Sequence, residues 1–261
     1  MQSQSIAVRG PVPTVPVLGV QVGALDLERA TTEILGWIER GERHYVSVTG
    51  VHGIMEAQDD PAFRGILNGD LVVPDGMPLV WLCKLAGETQ TDRVYGPDLT
   101  LSVSRALAER GLSAFYYGAA EGVAAQLARV LEGRFAGLVT AGFFSPPFRE
   151  LSATEEEAIV ARINTSGAAV VWVGLSTPKQ ERWMARMRGR LTPPVLIGVG
   201  AAFDFHTGRV RQAPRLVQRS GLEWLFRLAM EPRRLWRRYL RNNPRFLWLL
   251  VQRNWGRPHF R

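Results

Sequence analysis

In Val73-Pro74-Asp75-Gly76-Met77-Pro78 an aspartate sits between a proline and a glycine, on a short and stiff stretch of backbone. At the carboxyl end of a strand such a carboxylate faces a crevice, with the rigid placement that a general base requires. The same triplet is also ordinary β-turn chemistry. A second stretch, Gly174-Leu175-Ser176-Thr177-Pro178-Lys179-Gln180-Glu181, runs from an apolar segment into a polar helix start. Thr177 suits the N-cap, Pro178 the first helical position, and Gln180 completes a capping box. Free N–H groups at such a start favour a phosphate, although a plain strand-to-helix loop reads the same way. A third stretch, Gly198-Val199-Gly200-Ala201-Ala202-Phe203-Asp204, is one residue short of the dinucleotide fingerprint, because Phe203 stands where the third glycine belongs. Its residues predict close backbone approach to a nucleotide, with no helix continuing through Asp204-Phe205-His206-Thr207-Gly208; a purely structural turn is the other reading.

Arginines form the fourth candidate group: Arg227, Arg233, Arg234, Arg237, Arg238 and Arg241. Arg234 stands at helical i+3 and i+4 spacing from Arg237 and Arg238, with Trp236, Tyr239 and Leu240 as an apolar stripe. A solvated helix face is the plain interpretation. The near absence of acids and the adjacent aromatics fit an interfacial helix on anionic lipid. Guanidinium forks fit phosphate oxygens equally well. His44, His52, His206 and His259 show no metal-ligand spacing, no Asp-x-Asp pair or Walker A loop occurs, and Cys83 reads as a core residue.

The elements that must position these residues alternate between strand and helix. Apolar runs at residues 17–22, 45–48, 71–73, 114–117, 138–141, 169–173 and 195–199 predict strands. Asp26 caps a helix with apolar positions Leu27, Ala30, Ile34 and Ile38, and further helices are expected over about 121–131 and 154–164. The alternation predicts an α/β fold, a mostly parallel sheet with helices on both faces, whose ligands bind outside the carboxyl ends of the strands. Several strands end in glycine there, among them those ending at Gly118, Gly174 and Gly200. From about Pro214 the strands stop, and residues 221–230, 233–241 and 245–253 read as short helices separated at Pro232 and Asn242-Asn243-Pro244.

The chain of 261 residues is 46% apolar, enough for one large core and against general disorder. One cysteine excludes an internal disulfide and fits a reducing compartment. The longest apolar run near the C-terminus, 246–251, is far short of the ~20 residues a spanning helix needs. The Pro- and Ser-containing start lacks a signal-type apolar core, so export by the usual signal is not expected. Residues 209–261 hold 14 arginines against two acids, Glu223 and Glu231, within a chain of net charge +8, so residues 1–208 are mildly acidic. A basic tail on an acidic body points to an anionic partner for the tail.

Taken in order, these motifs resemble the WecG/TagA/CpsF family of bacterial glycosyltransferases. The matching stretches are Pro74-Asp75-Gly76, Arg93-Val94-Tyr95-Gly96-Pro97-Asp98-Leu99, Tyr117-Gly118, the loops at 174–181 and 198–204, Ala213-Pro214, Gly221-Leu222-Glu223-Trp224-Leu225-Phe226-Arg227 and Glu231-Pro232-Arg233-Arg234. The resemblance covers roughly residues 17–250. It implies a flexible leader over 1–16, a Rossmann-like core over 17–213, and a basic helical appendage over 214–261 that docks on the membrane and completes the site. The implied reaction is inverting and metal-independent, needs no cofactor, and moves a sugar from a UDP-sugar to an undecaprenyl-diphosphate-linked saccharide during cell-surface polysaccharide synthesis. The resemblance places the enzyme in the cytoplasm, on the inner face of the membrane. Asp75 matches the family's proposed base, and Arg93 an arginine near the sugar. Gln180 matches a donor contact; with it the expected donor side comprises Thr49, Gly118, Gly174, Gly198, Gly200 and Asp204. Arg227, Arg234 and Arg237 match a clamp on the diphosphate. Many members carry Thr-x-Asn after the second strand, whereas this chain has Thr49-Gly50-Val51-His52, with Thr49 or His52 available as substitutes. Partners are then donor, lipid-linked acceptor and an anionic membrane, not nucleic acid, with a homo-oligomer left open. The competing readings are an NAD(P)-dependent oxidoreductase using the 198–204 loop, and a nucleic-acid binder using the arginine tail.

Overall fold

The structure, a computed structural model, describes residues 10–255. Most of the expected leader (residues 1–9), His259 and the end of the appendage lie outside the described residues. The chain opens with a hairpin, β1 (Thr14–Val17) and β2 (Val20–Gly23), paired antiparallel. The apolar run 17–22 is therefore not one strand. Leu18 and Gly19 both take positive φ, +48° and +88°, the backbone that a two-residue hairpin turn needs. The hairpin also begins inside the expected leader, and Val15 and Val17 are buried.

Next come α1 (Leu27–Arg40), β3 (His44–Thr49), α2 (Val51–Asp59), α3 (Pro61–Leu67), β4 (Leu71–Pro74), α4 (Met77–Leu85) and α5 (Gly96–Glu109). Asp26 caps α1 by accepting from the Arg29 N–H at 2.8 Å. The second half of the core holds β5 (Ser113–Gly118), α6 (Val123–Arg134), β6 (Val139–Phe144), α7 (Ala153–Thr165), β7 (Val170–Gly174), α8 (Lys179–Met187), β8 (Val195–Gly198) and α9 (Ala202–His206). Six strands form one parallel sheet in the order β4-β3-β8-β7-β5-β6. This is the expected α/β, Rossmann-like architecture.

Helices cover both faces. On one, α1 packs on α5, and α9 on α5 and α6; on the other, α3 packs on α2 and α8. Thus α8, following β7, and α9, following its neighbour β8, leave to opposite faces. A crevice opens at the carboxyl ends of such strands, and the loops 174–180 and 199–204 lie on it.

The appendage contains α10 (Arg215–Arg219), α11 (Glu223–Met230) and α12 (Pro232–Trp255). The expected break at Asn242-Asn243-Pro244 is absent, and α12 runs through Pro244. An interior proline costs about 3 kcal/mol through its missing N–H and its ring clash. Leu235 and Phe246, only 0% and 2% exposed, lie on either side of it. They are eleven residues apart, about three helical turns, and so share one face with Asn242. Burying both offsets the proline, at about 1.5–3 kcal/mol per large apolar side chain. Phe246 joins Ile54, Met55, Leu79 and Cys83 in one apolar cluster. Of the expected stripe, Trp236 and Leu240 are exposed and Tyr239 is half-buried. No described helix is long and apolar enough to cross a membrane.

Candidate active site

Asp75 follows β4 directly. Its N–H donates to the Thr49 carbonyl at 2.9 Å, which extends the sheet by one rung before Gly76 opens α4. The triplet is thus a strand-to-helix junction rather than a β-turn, and the Asp75 side chain remains 32% exposed at the cleft. The Val94 N–H donates to the Pro74 carbonyl at 2.9 Å and brings Arg93 alongside. Arg93 donates from Nε to the Asp75 carbonyl and from Nη2 to Asp75 Oδ1 at 3.4 Å. The same Nη2 lies 2.5 Å from Oε2 of Glu223, in the first turn of α11. Tyr95 supplies the floor, its ring centre 4.1 Å below the guanidinium. Arg93 is only 11% exposed, so it fixes Asp75 and ties the appendage to the core. Burial pushes the Glu223 carboxyl up, against the pull of Arg93.

Two strands along, the loops after β7 and β8 are joined by Gln180. Its Oε1 accepts from the Gly200 N–H at 3.1 Å, and its Nε2 donates to Glu181 Oε1 at 2.9 Å. Thr177 does not cap α8; its hydroxyl donates to the same Glu181 oxygen at 2.8 Å. The Gln180 N–H donates to the Ser176 carbonyl, so this helix start has fewer free N–H groups than expected. The segment after Gly200 does continue as a helix, the short α9. Phe203 is fully buried, and its ring occupies the space above Gly174, where an added Cβ would come within 2.8 Å. The place of the fingerprint's third glycine therefore holds a core anchor.

Asp204 faces the cleft from α9. Burial raises its pKa, while Arg234, Arg209 and Arg227 pull the other way. Arg227 stands 5.6 Å over the Phe205 ring, and its Nε is buried without a partner. Arg238 is pushed down by burial and by the charges of Arg227 and Arg234. Among the described residues neither Arg227 nor Arg238 has a carboxylate within ion-pair distance, whereas Arg234 pairs with Glu231 at 2.8 Å. Guanidiniums crowded beside a cleft, two of them without a carboxylate partner among the described residues, have the chemistry to hold an anion.

The cleft that these residues share measures about 1730 Å³. Small-molecule pockets typically span about 300–1,000 Å³, so it has room for two substrates. Of the expected residues it brings together Asp75, Arg93, Gly174, Gln180, Gly200, Asp204, Arg227 and Arg234. Four others stand elsewhere. Thr49 is buried, its hydroxyl donating to the Ser47 carbonyl at 3.2 Å. Gly118, at φ +126°, packs on the Gly174 backbone. An added Cβ at Gly198 would meet Met184 at 2.7 Å. Arg237 projects away, its guanidinium 5.2 Å over the Trp236 ring. Arg238 lines the cleft in its place. The signal lay in Leu235: Arg238 stands at i+3 from that buried residue, Arg237 only at i+2. His52 also lines the cleft, and its Nδ1 accepts from Asn242 Nδ2 at 3.0 Å. Burial, then the charge of Arg238, lowers its pKa to about 4. Glu223 carried no signal of its own, since its role exists only where α11 folds onto Arg93. Among the described residues no group of three or more His, Cys, Asp or Glu side chains converges as a metal site would.

Comparison with known proteins agrees with this geometry. The chain is 30% identical over 208 residues to an N-acetylglucosaminyldiphosphoundecaprenol N-acetyl-beta-D-mannosaminyltransferase of Bacillus spizizenii, covering 78% of each protein. Residues 15–259 match the family described as glycosyl transferase WecG/TagA/CpsF, which takes in both lobes of the cleft, and the chain belongs to that family.

Proposed function

We propose that this glycosyltransferase moves a sugar from a UDP-sugar to a saccharide carried on undecaprenyl diphosphate, with inversion and without a metal ion. The observation that carries the reading is one cleft lined both by a fixed carboxylate, Asp75, and by Arg227 and Arg238, which have no carboxylate partner among the described residues. The named activity of the Bacillus relative supports the acceptor class. In the proposed reaction an acceptor hydroxyl oxygen attacks the anomeric carbon. Its proton passes to the Asp75 carboxylate, and the bond from that carbon to the diphosphate oxygen breaks on the opposite face. Charge gathering on the departing UDP needs fixed positive groups; Arg227, Arg234 and Arg238 fill that role, with Asp204 and the Gly200 loop on the nucleotide side.

The acceptor's lipid fits a membrane-surface enzyme. Trp81, Leu85, Trp236, Leu240, Leu247, Trp248 and Val251 are exposed near the arginines of α12, the makeup of an interfacial surface on anionic lipid. These features support the reading of a peripheral enzyme on the cytoplasmic face of the membrane. The test is a donor screen: full-length protein, EDTA, a synthetic prenyl-diphosphate N-acetylglucosamine and a panel of UDP-sugars. Acceptor-dependent UDP release is expected with one or a few donors. No release with any donor, with and without added divalent ions, overturns the reading.

A further inference from the structure

Glu181 is the one acidic side chain in the fully buried set among the described residues, with 0% exposure. No cation stands within ion-pair distance of it among those residues. An ionised carboxylate in that position would carry the full cost of desolvation. Burial accordingly pushes its pKa up, and Glu56 on α2 adds to the push. The carboxyl is used unevenly. Its Oε1 accepts two hydrogen bonds, from Thr177 Oγ1 at 2.8 Å and Gln180 Nε2 at 2.9 Å, while Oε2 is buried without a partner.

The bond to Gln180 has a directional consequence. An amide side chain can turn either end toward the cleft. An acceptor oxygen on Glu181 attracts its NH2 end, which leaves Oε1 to face the Gly200 N–H at 3.1 Å. Turned the other way, the amide would set two donors against each other at Gly200. Gly200 takes φ +52° and opens the turn into α9, which carries Asp204, so its position sets the shape of the cleft wall.

We infer that Glu181 is a positioning residue for donor binding: through Gln180 it fixes the Gly200 loop on the nucleotide side of the cleft, without touching substrate. The inference rests on the donor reading above. Asp75 follows β4, and β3 stands between it and β8, whose following loop the bridge holds, so the expected loss falls on donor binding rather than on the chemical step.

The test measures UDP affinity by calorimetry and, in turnover, donor KM and kcat, on full-length protein. Glu181→Met removes the acceptor at similar volume. It is expected to weaken UDP binding and raise donor KM about tenfold, with kcat within about threefold of wild type. Glu181→Gln, which returns an acceptor oxygen, is expected to recover most of that loss. Gln180→Met breaks the same bridge from its other side and is expected to give a similar loss, which keeps the inference testable if Glu181→Met does not fold. Wild-type affinity in a folded Glu181→Met or Gln180→Met, whatever the fall in melting temperature, overturns the inference and leaves the donor reading standing. Failure of wild type itself to bind UDP overturns both.

Discussion

Glu223 Oε2, in the appendage, lies 2.5 Å from Nη2 of Arg93 in the core, and the same nitrogen reaches Asp75 Oδ1 at 3.4 Å. One guanidinium thus links the candidate base to the segment expected to complete the site. Glu223→Gln keeps the shape but removes the charge that draws on Arg93. A hydrogen bond to a charged group contributes about 1.5–3 kcal/mol, and we expect kcat to fall about tenfold or more, with donor KM little changed. A larger change in donor KM than in kcat would place Glu223 on the donor side instead.

Asp75→Asn leaves the backbone bonds to Thr49 and Arg93 in place, since both use main-chain atoms of Asp75. The proton acceptor is lost, and with it the charge pairing of Asp75 Oδ1 with Arg93 Nη2. The expected result is a drop of about 10²–10⁴ in kcat with UDP affinity preserved, the usual contribution of a general base. A near-normal rate would remove Asp75 from that role.

Arg238 and Arg237 are neighbours in sequence with opposite surroundings. Arg238 lines the cleft without a carboxylate partner among the described residues, while Arg237 rests on Trp236 at the surface. Arg238→Ala is expected to raise the donor KM about tenfold or more, whereas Arg237→Ala leaves it within about twofold in detergent-free assays with a soluble acceptor. Equal losses from both would mean that α12 turns by about a third of a helical circle when substrate binds.

The main lines of the fold were readable because the apolar runs of β3, β4, β5, β7 and β8 are buried almost throughout and lead into glycine or Pro-Asp-Gly. Local patterning served less well where long-range packing decides. The break expected at Pro244 is overridden by the burial of Leu235 and Phe246, and the cluster that takes in Phe246 comes mostly from the first hundred residues. Helices α2 to α4 escaped notice because they are only 7–9 residues long, and α5 because Gly96, Thr100 and Ser104 interrupt its buried apolar face. Asp75 was legible since its flanking residues constrain it locally. Arg238 and Glu223 were not, because their significance depends on how the appendage docks.

That docking gives a stability prediction with a sign. If α12 is continuous, Pro244→Ala restores an N–H for the Leu240 carbonyl and relieves the ring clash, so melting temperature should rise. Phe246→Ala opens a hole in the cluster with Ile54 and Leu79 and should cost about 3–5 kcal/mol. A fall in melting temperature for Pro244→Ala would mean that two helices meet at this proline.

His52 adds a pH dependence. Its pKa is held near 4 by burial, then by the charge of Arg238, against an ordinary value of 6.5. Between those values the unfolded chain binds a proton that the folded chain refuses, so stability rises with pH across that window. Its contribution is complete above about pH 6.5 and lost as pH falls toward 4; a shift of that size corresponds to about 3 kcal/mol. Protonation would also place a donor on Nδ1, opposite the Asn242 amide that now donates to it at 3.0 Å, and so loosen α12 from α2. His52→Asn keeps a side-chain acceptor for Asn242 but does not titrate. Urea denaturation at pH 7.5 and pH 5 should show a smaller loss of stability for His52→Asn than for wild type. An equal loss in both proteins would place the acid sensitivity in the ion-paired carboxylates whose pKa the fold lowers, such as Asp59 and Asp60, rather than in this histidine.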